Sequence, residues 1–265
     1  MTTPDLVSDR HCPGPAVRLA RRCSTSRTRR PPRWTAAALA GLLLVCAPPV
    51  AGANEEADRI DEAIVVLQEI MSAPDAAIPE AILERSVAIA VFPSTVRAGF
   101  FVGGQRGRGF IAARHEDTGD WSAPAFLTLT AGSIGLQVGA QSIDIVLLIQ
   151  NRRGLSRLLD NQFTLGADAS AAVGPVGRRL EASTDLQMTA EILSYSRARG
   201  VFAGVTLGGA TLRADRDANE RFYGERLDSR EIVLDGETGS AVPEAVTRLR
   251  EALDSLTAND EDESD

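Results

Sequence analysis

Phe101-Val-Gly-Gly-Gln-Arg-Gly-Arg-Gly-Phe110 decides the fold. Glycine at this density belongs either to a loop that cradles phosphate or to a sheet whose backbones pass close together. A dinucleotide fingerprint needs G-x-G-x-x-G between a strand and a helix, whereas Gly104-x-x-Gly107-x-Gly109 runs in the reverse order. A P-loop needs Gly-Lys-Ser/Thr, and the chain contains no lysine. A strand pattern follows Gly109, so no helix N-terminus is available for a phosphate. The stretch therefore reads as a bend between strands at Ala98–Gly103 and Gly109–Arg114, with Arg106 and Arg108 projecting from it.

Working outward, the chain keeps this strand-and-glycine character. Val87–Phe92 is a short apolar run ended by Pro93, and Ala125–Thr130 and Ser133–Gly139 follow in strand fashion. Ile143–Ile149 is a buried run broken only by Asp144. Further strands are expected at Thr164–Val173 and Val201–Leu212, while Leu186–Tyr195 reads as strand or helix. Apolar residues three and four apart predict helices over Glu55–Met71, from Ile78-Pro79 to Leu83, and over Arg152–Leu159, Asp215–Phe222 and Pro243–Leu256. In the first of these, Glu56, Asp58, Asp61, Glu62 and Glu69 are assigned to the polar face. That face is acidic, unlike the basic face of most membrane-surface helices, so docking on the chain's own domain is expected. The fold class is α+β: one domain with an antiparallel, Gly-rich sheet or partly closed barrel and flanking helices.

Charge divides the 265 residues sharply. Residues 1–53 carry eight arginines and two acids, and 54–265 carry twenty arginines and thirty-four acids. The basic segment precedes an apolar run at 34–47 and the small residues Ala51-Gly-Ala53, the order of a secretory signal peptide cut after Ala53. An uncleaved anchor and lipidation at Cys46 are the alternatives. Residues 54–257 are then the domain, and the acidic stretch 258–265 is expected to be a disordered tail. Cys12, Cys23 and Cys46 all precede residue 54, leaving no thiolate and no disulfide in the remainder. No cofactor, metal or nucleic-acid partner is expected, and the location expected is the periplasm or cell envelope, peripheral to a membrane.

Catalytic patterns are sparse. There is no G-x-S-x-G, and His115 is the one histidine after residue 53. His115, Glu116, Asp117 and Asp120 read as a solvated turn. Asp144 reads as a buried, hydrogen-bonded or ion-paired carboxylate. The chain is not expected to be an enzyme, although a hydrolase built on Asp144 or the 115–120 turn is the rival reading.

Between Arg85 and His115 there are five arginines and no acid. Arg97, Arg106, Arg108 and Arg114 are the candidate anion-binding residues, because guanidinium forks suit phosphate oxygens. Arg152, Arg153, Arg178 and Arg179 are secondary candidates.

The ordered motifs resemble the SYLF domain over about 78–225. They run from Ala88-Ile-Ala-Val-Phe-Pro93 through Gly99-Phe-x-Val-Gly103-Gly104, Gly107-x-Gly109, Trp121-Ser-x-Pro124 and Gly132-x-x-Gly-Leu-Gln-Val-Gly139. Asp144, Leu165-Gly-Ala-Asp168, Gly174-Pro-x-Gly177, Tyr195-Ser196, Gly200-x-Phe-Ala-Gly204 and Phe222-Tyr223-Gly224 complete the order. The resemblance implies a lipid-binding module, in which Arg97, Arg106, Arg108 and Arg114 would hold the lipid headgroup. Eukaryotic relatives are associated with phosphoinositide membranes and actin, and exported bacterial relatives with phospholipid. For an exported chain, anionic phospholipids such as phosphatidylglycerol or cardiolipin are the expected partners. A structural or protein-interaction module of the envelope is the alternative.

Overall fold

The computed structural model describes residues 51–73, 78–99, 102–134, 139–160, 162–176, 189–198, 201–239 and 242–257. The basic segment before residue 51, Arg178, Arg179 and the acidic stretch 258–265 lie outside them. The described residues fall in one compact unit, Pro48–Asp265.

The strands are β1 (Ala88–Gly99), β2 (Val102–Ala113), β3 (Ala125–Ile134), β4 (Gly139–Ile149), β5 (Gln162–Thr164), β6 (Ala171–Val173), β7 (Ile192–Ala198), β8 (Val201–Gly204) and β9 (Thr211–Ala214). They form one sheet in the order β5-β9-β3-β2-β1-β4-β7-β6, with β8 paired to β7. All pairings are antiparallel except β6 with β7. The sheet curls strongly into a half-barrel, in agreement with the expected class. Its curl has a simple covalent cause. The edge strands β5 and β6 are joined by residues 165–170 alone. Thr164 and Ala171 can therefore be no more than roughly 25 Å apart. The single strand expected over Thr164–Val173 is thus two strands at opposite edges, separated by a turn in which Gly166 has φ +84°. Likewise, Val201–Leu212 divides into β8 and β9.

The helices are α1 (Ala51–Met71), α2 (Glu80–Arg85), α3 (Arg152–Leu158), α4 (Arg216–Tyr223) and α5 (Glu244–Thr257), with a π-helical turn at Glu231–Asp235. Helix α1 lies across one face of the sheet and packs against α4, α5, β1 and β2, burying Ile60, Ala63, Leu67 and Ile70. Phe110, Phe126, Val91 and Val146 lie on the same sheet face, as the register requires. The opposite face carries Phe92, Ile111, Leu127, Ile145, Leu147 and Leu212, all buried. Helix α3 touches both β4 and β5 and seats Leu155 and Leu158 in the core. Asn151 caps it by accepting from the Gly154 N–H at 2.7 Å.

The opening stretch is not a bend. Residues 102–111 pair without interruption against β3, so Gly103, Gly104, Gly107 and Gly109 sit inside a continuous strand. The irregularity lies in the neighbouring strand. Register between β1 and β2 shifts between Val91 and Val96, with one extra β1 residue, and the β1–β4 register shifts at the same place. This is a β-bulge at Pro93-Ser94. Two glycines of β2 accommodate it. A Cβ on Gly109 would stand 2.0 Å from the Val91 carbonyl oxygen, and one on Gly107 would stand 2.2 Å from Thr95 Oγ1.

Candidate functional site

Beside the bulge the sheet runs out from under α1 and leaves a cleft of about 830 Å³. Its wall is the first turns of α1, with Glu55, Asp58, Arg59 and Glu62. Its floor is Val96 and Ala98 of β1, Gly104, Arg106 and Arg108 of β2, and Ala131 of β3, with Pro93 and Ser94 at the bulge. Part of the floor is open to solvent: Gly104 faces open space, and Val96 is 54% exposed.

Three guanidinium groups reach this cleft. Arg108 Nη1 donates to Glu55 Oε1 at 2.9 Å, and Arg59 Nη2 donates to the same oxygen at 3.1 Å. Arg59 is held from beneath, its guanidinium carbon 5.7 Å from the Phe126 ring centroid, a cation–π contact. Its side chain is only 8% exposed, and its Nη1 is buried with no hydrogen-bond partner among the described residues. Arg106 is exposed and forms no ion pair among the described residues.

The sequence-predicted cluster is therefore split. Arg106 and Arg108 share the cleft face, as period two along β2 demands. Arg97 pairs in register with Gln105 and Gln141 and lies on the opposite face, half-buried. The bulge is the reason: without the extra residue Arg97 would sit opposite Gly104, on the same face as Arg106. Arg114 lies roughly 26 Å further along the strand from Arg106. There its guanidinium carbon stacks 4.9 Å from the Trp121 ring centroid, and it bridges to Trp121 across the hairpin. Arg152 pairs with Glu116 at 3.1 Å, and Arg153 is exposed on α3.

Two acids of α1 also differ from the pattern reading. Glu56 is fully buried rather than on the polar face, with Oε1 accepting from Arg221 Nη2 at 2.6 Å and Nε at 3.2 Å. Glu55 and Arg59 belong to the cleft, and sequence reasoning passed over both. A signal was present for Arg59. It is the one basic residue between 54 and 71, and it stands four residues before Ala63 on the apolar stripe.

Asp144 is a fastener. Its Oδ1 accepts from the Ser94 N–H at 2.8 Å and its Oδ2 from Arg197 Nε at 2.7 Å. Arg197 also pairs with Glu69 of α1. Helix α1, β7, β4 and the bulge are thereby joined through the run Glu69, Arg197, Asp144 and Ser94. Burial pushes this carboxyl above the usual 3.8, and the Ser94 N–H partly offsets that. Ser94 itself has φ 49°, a left-handed conformation uncommon outside glycine.

The remaining signature residues are packing devices. Tyr223 donates its hydroxyl to the Pro124 carbonyl at 2.6 Å and packs edge-on against Phe222. Tyr195 is buried opposite Gly204, and a Cβ on Gly174 would stand 2.1 Å from its ring. A Cβ on Gly204 would meet Val173 Cγ1 at 2.2 Å. Burial raises both tyrosine hydroxyls well above their ordinary pKa. Trp121 is buried beneath Arg114.

Comparison with known proteins gives the same family as the motifs. A family model described as Ysc84, Las17-binding protein actin regulator, matches residues 130–256. The chain is 32% identical over 213 residues to the SH3 domain-containing YSC84-like protein 1 of Homo sapiens, an alignment covering 79% of this chain and 61% of that protein. It is 30% identical over 209 residues to Protein YSC84 of Saccharomyces cerevisiae, covering 78% of this chain and 43% of that protein. LAS seventeen-binding protein 3 of Saccharomyces cerevisiae is 31% identical over 209 residues, covering 78% and 44%. The chain thus spans between two fifths and about three fifths of the length of these relatives. With the ordered motifs, the curled sheet and these relatives in agreement, the chain belongs to the SYLF domain family.

Proposed function

We propose that this chain is a non-enzymatic binder of anionic phospholipid, exported to the cell envelope, that engages headgroup phosphate at the cleft between α1 and the β1–β2 hairpin. The observation that carries this reading is Arg106. An exposed guanidinium without an ion pair among the described residues stands at the mouth of a cleft that Arg59 and Arg108 also line. Guanidinium forks match phosphate oxygens in geometry and charge. Among the described residues no helix is long and apolar enough to cross a membrane, and the contact proposed at the cleft is a peripheral one.

A second reading has its own support in the description of the family model, which names binding to Las17 and regulation of actin. On that reading the domain serves a protein partner and ignores lipid. Co-sedimentation of the full chain with neutral and phosphatidylglycerol vesicles over a salt series separates the two. Binding is expected to need anionic lipid and to weaken with salt. Arg106→Ala should lower affinity about fivefold, the worth of one basic group near an anionic surface. Because the arginines before residue 54 are the same in both proteins, the difference isolates the cleft. Equal binding by the two proteins would remove the cleft from the account, and no binding at all would favour the protein partner.

A further inference from the structure

Resting on the reading of the cleft as a phosphate site, we propose that Glu55 is a built-in stand-in for the ligand. Its carboxylate occupies the place of a phosphodiester and must leave when one binds. The argument begins with charge. The cleft is lined by Arg59, Arg106 and Arg108 and by Glu55, Asp58 and Glu62, a balanced set with no net attraction for an anion. The six do not act alike. One oxygen of Glu55 receives both Arg59 Nη2 and Arg108 Nη1, whereas no ion pair is formed by Asp58 or Glu62 among the described residues. A carboxylate and a phosphodiester present the same recognition group: one negative charge shared over two oxygens. Glu55 therefore makes the contacts that a diester would make.

The occupant is only loosely held. Glu55 is 54% exposed and Arg108 50% exposed, in the range where an ion pair contributes little. Arg59 is different, because it is nearly buried and held against Phe126, and its Nη1 has no partner among the described residues. A buried, unpartnered donor on a charged group is costly to leave unmade. A carboxylate with one oxygen engaged leaves that donor unserved. A phosphodiester, with oxygens spread over a tetrahedron, can reach Arg59, Arg108 and the free Arg106 together. Departure of Glu55 thus changes the cleft from balanced to net positive at the moment of binding.

The test is isothermal titration of the full chain, with glycerophosphoglycerol as a soluble diester, inorganic phosphate, and phosphatidylglycerol vesicles as three separate probes. Glu55→Gln keeps the helix and the side-chain length but removes the competing charge. It should bind the diester about fivefold more tightly than the unmodified chain, given the modest worth of ion pairs to a half-exposed carboxylate. Asp58→Asn, which removes the same charge from the same wall, should change affinity less than twofold. Adding Arg106→Ala to Glu55→Gln should cancel the gain. A gain with the soluble diester or with vesicles alone upholds the stand-in, the latter assigning its ligand to lipid. A gain with inorganic phosphate alone overturns the diester match. Equal gains from Glu55→Gln and Asp58→Asn would reduce the effect to bulk charge and overturn the proposal. If the unmodified chain binds and depends on Arg106 while Glu55→Gln gains nothing, the stand-in fails and the cleft reading survives. If none of the proteins binds any probe, both fail.

Discussion

Asp144→Ala should cost about 2–3 kcal/mol, and part of that cost should vanish when Arg197 is removed as well. Asp144 is 14% exposed and Arg197 20% exposed, so both charges are largely withdrawn from water. Removing one partner of a fully buried pair costs about 3–5 kcal/mol, chiefly from the charge left behind. Here Arg197 keeps Glu69, and the Ser94 N–H lies where water can reach it, which brings the figure down. In a domain of this size the loss corresponds to a fall in Tm of roughly 6 °C. Urea unfolding followed by circular dichroism measures the single variants and the Asp144→Ala/Arg197→Ala double variant. The double variant should cost at least about 1 kcal/mol less than the sum of the singles, with the m-value unchanged. Hydrogen exchange gives a local check: the Ser94 amide should be protected in the unmodified chain and should lose that protection in Asp144→Ala. A single-variant cost below about 0.5 kcal/mol, or strict additivity, would refute the fastener.

Three further outcomes follow from the bulge and the signature contacts. Gly109→Ala should cost about 3 kcal/mol, because its Cβ would meet the Val91 carbonyl at 2.0 Å and Phe92 Cδ1 at 2.6 Å, whereas Gly104→Ala, with open space around it, should be neutral or stabilise by about 0.5 kcal/mol in thermal melts. Ser94→Gly should raise stability by up to about 1 kcal/mol by relieving the left-handed backbone, and Ser94→Val should lower it by about as much. Tyr223→Phe should cost about 1–2 kcal/mol in urea unfolding, since it strands the Pro124 carbonyl in the core.

Much of this molecule is written in local pattern. The apolar stripe of α1 and the buried run of β4 follow directly from residue order, and so does the class of the fold. What local pattern does not carry is pairing. The glycines of β2 looked like a bend because their cause lies in another strand, where the extra residue at Pro93-Ser94 needs room against Gly107 and Gly109. The same extra residue turns Arg97 away from Arg106, so proximity in sequence did not become proximity in space. Thr164–Val173 read as one strand because its two ends are strand-like, and only closure of the sheet separates them. Asp144 was legible as a paired carboxylate, but its partners, Ser94 and Arg197, are fifty and fifty-three residues away. Arg59 was missed because a helix rich in acids drew attention to its polar face, while the arginine that matters lies on the apolar one.

On the proposed function, phosphate meets this domain at Arg106, Arg108 and Arg59. The most direct measurement is the Nε–Hε NMR spectrum of the arginine side chains in the full chain, titrated with short-chain phosphatidylglycerol below its micelle concentration. The Arg106, Arg108 and Arg59 signals should move together and saturate, with Arg97, Arg114, Arg152 and Arg153 unmoved. Saturating shifts at Arg152 and Arg153 with the cleft arginines still, or no saturable shift at any arginine, would contradict it.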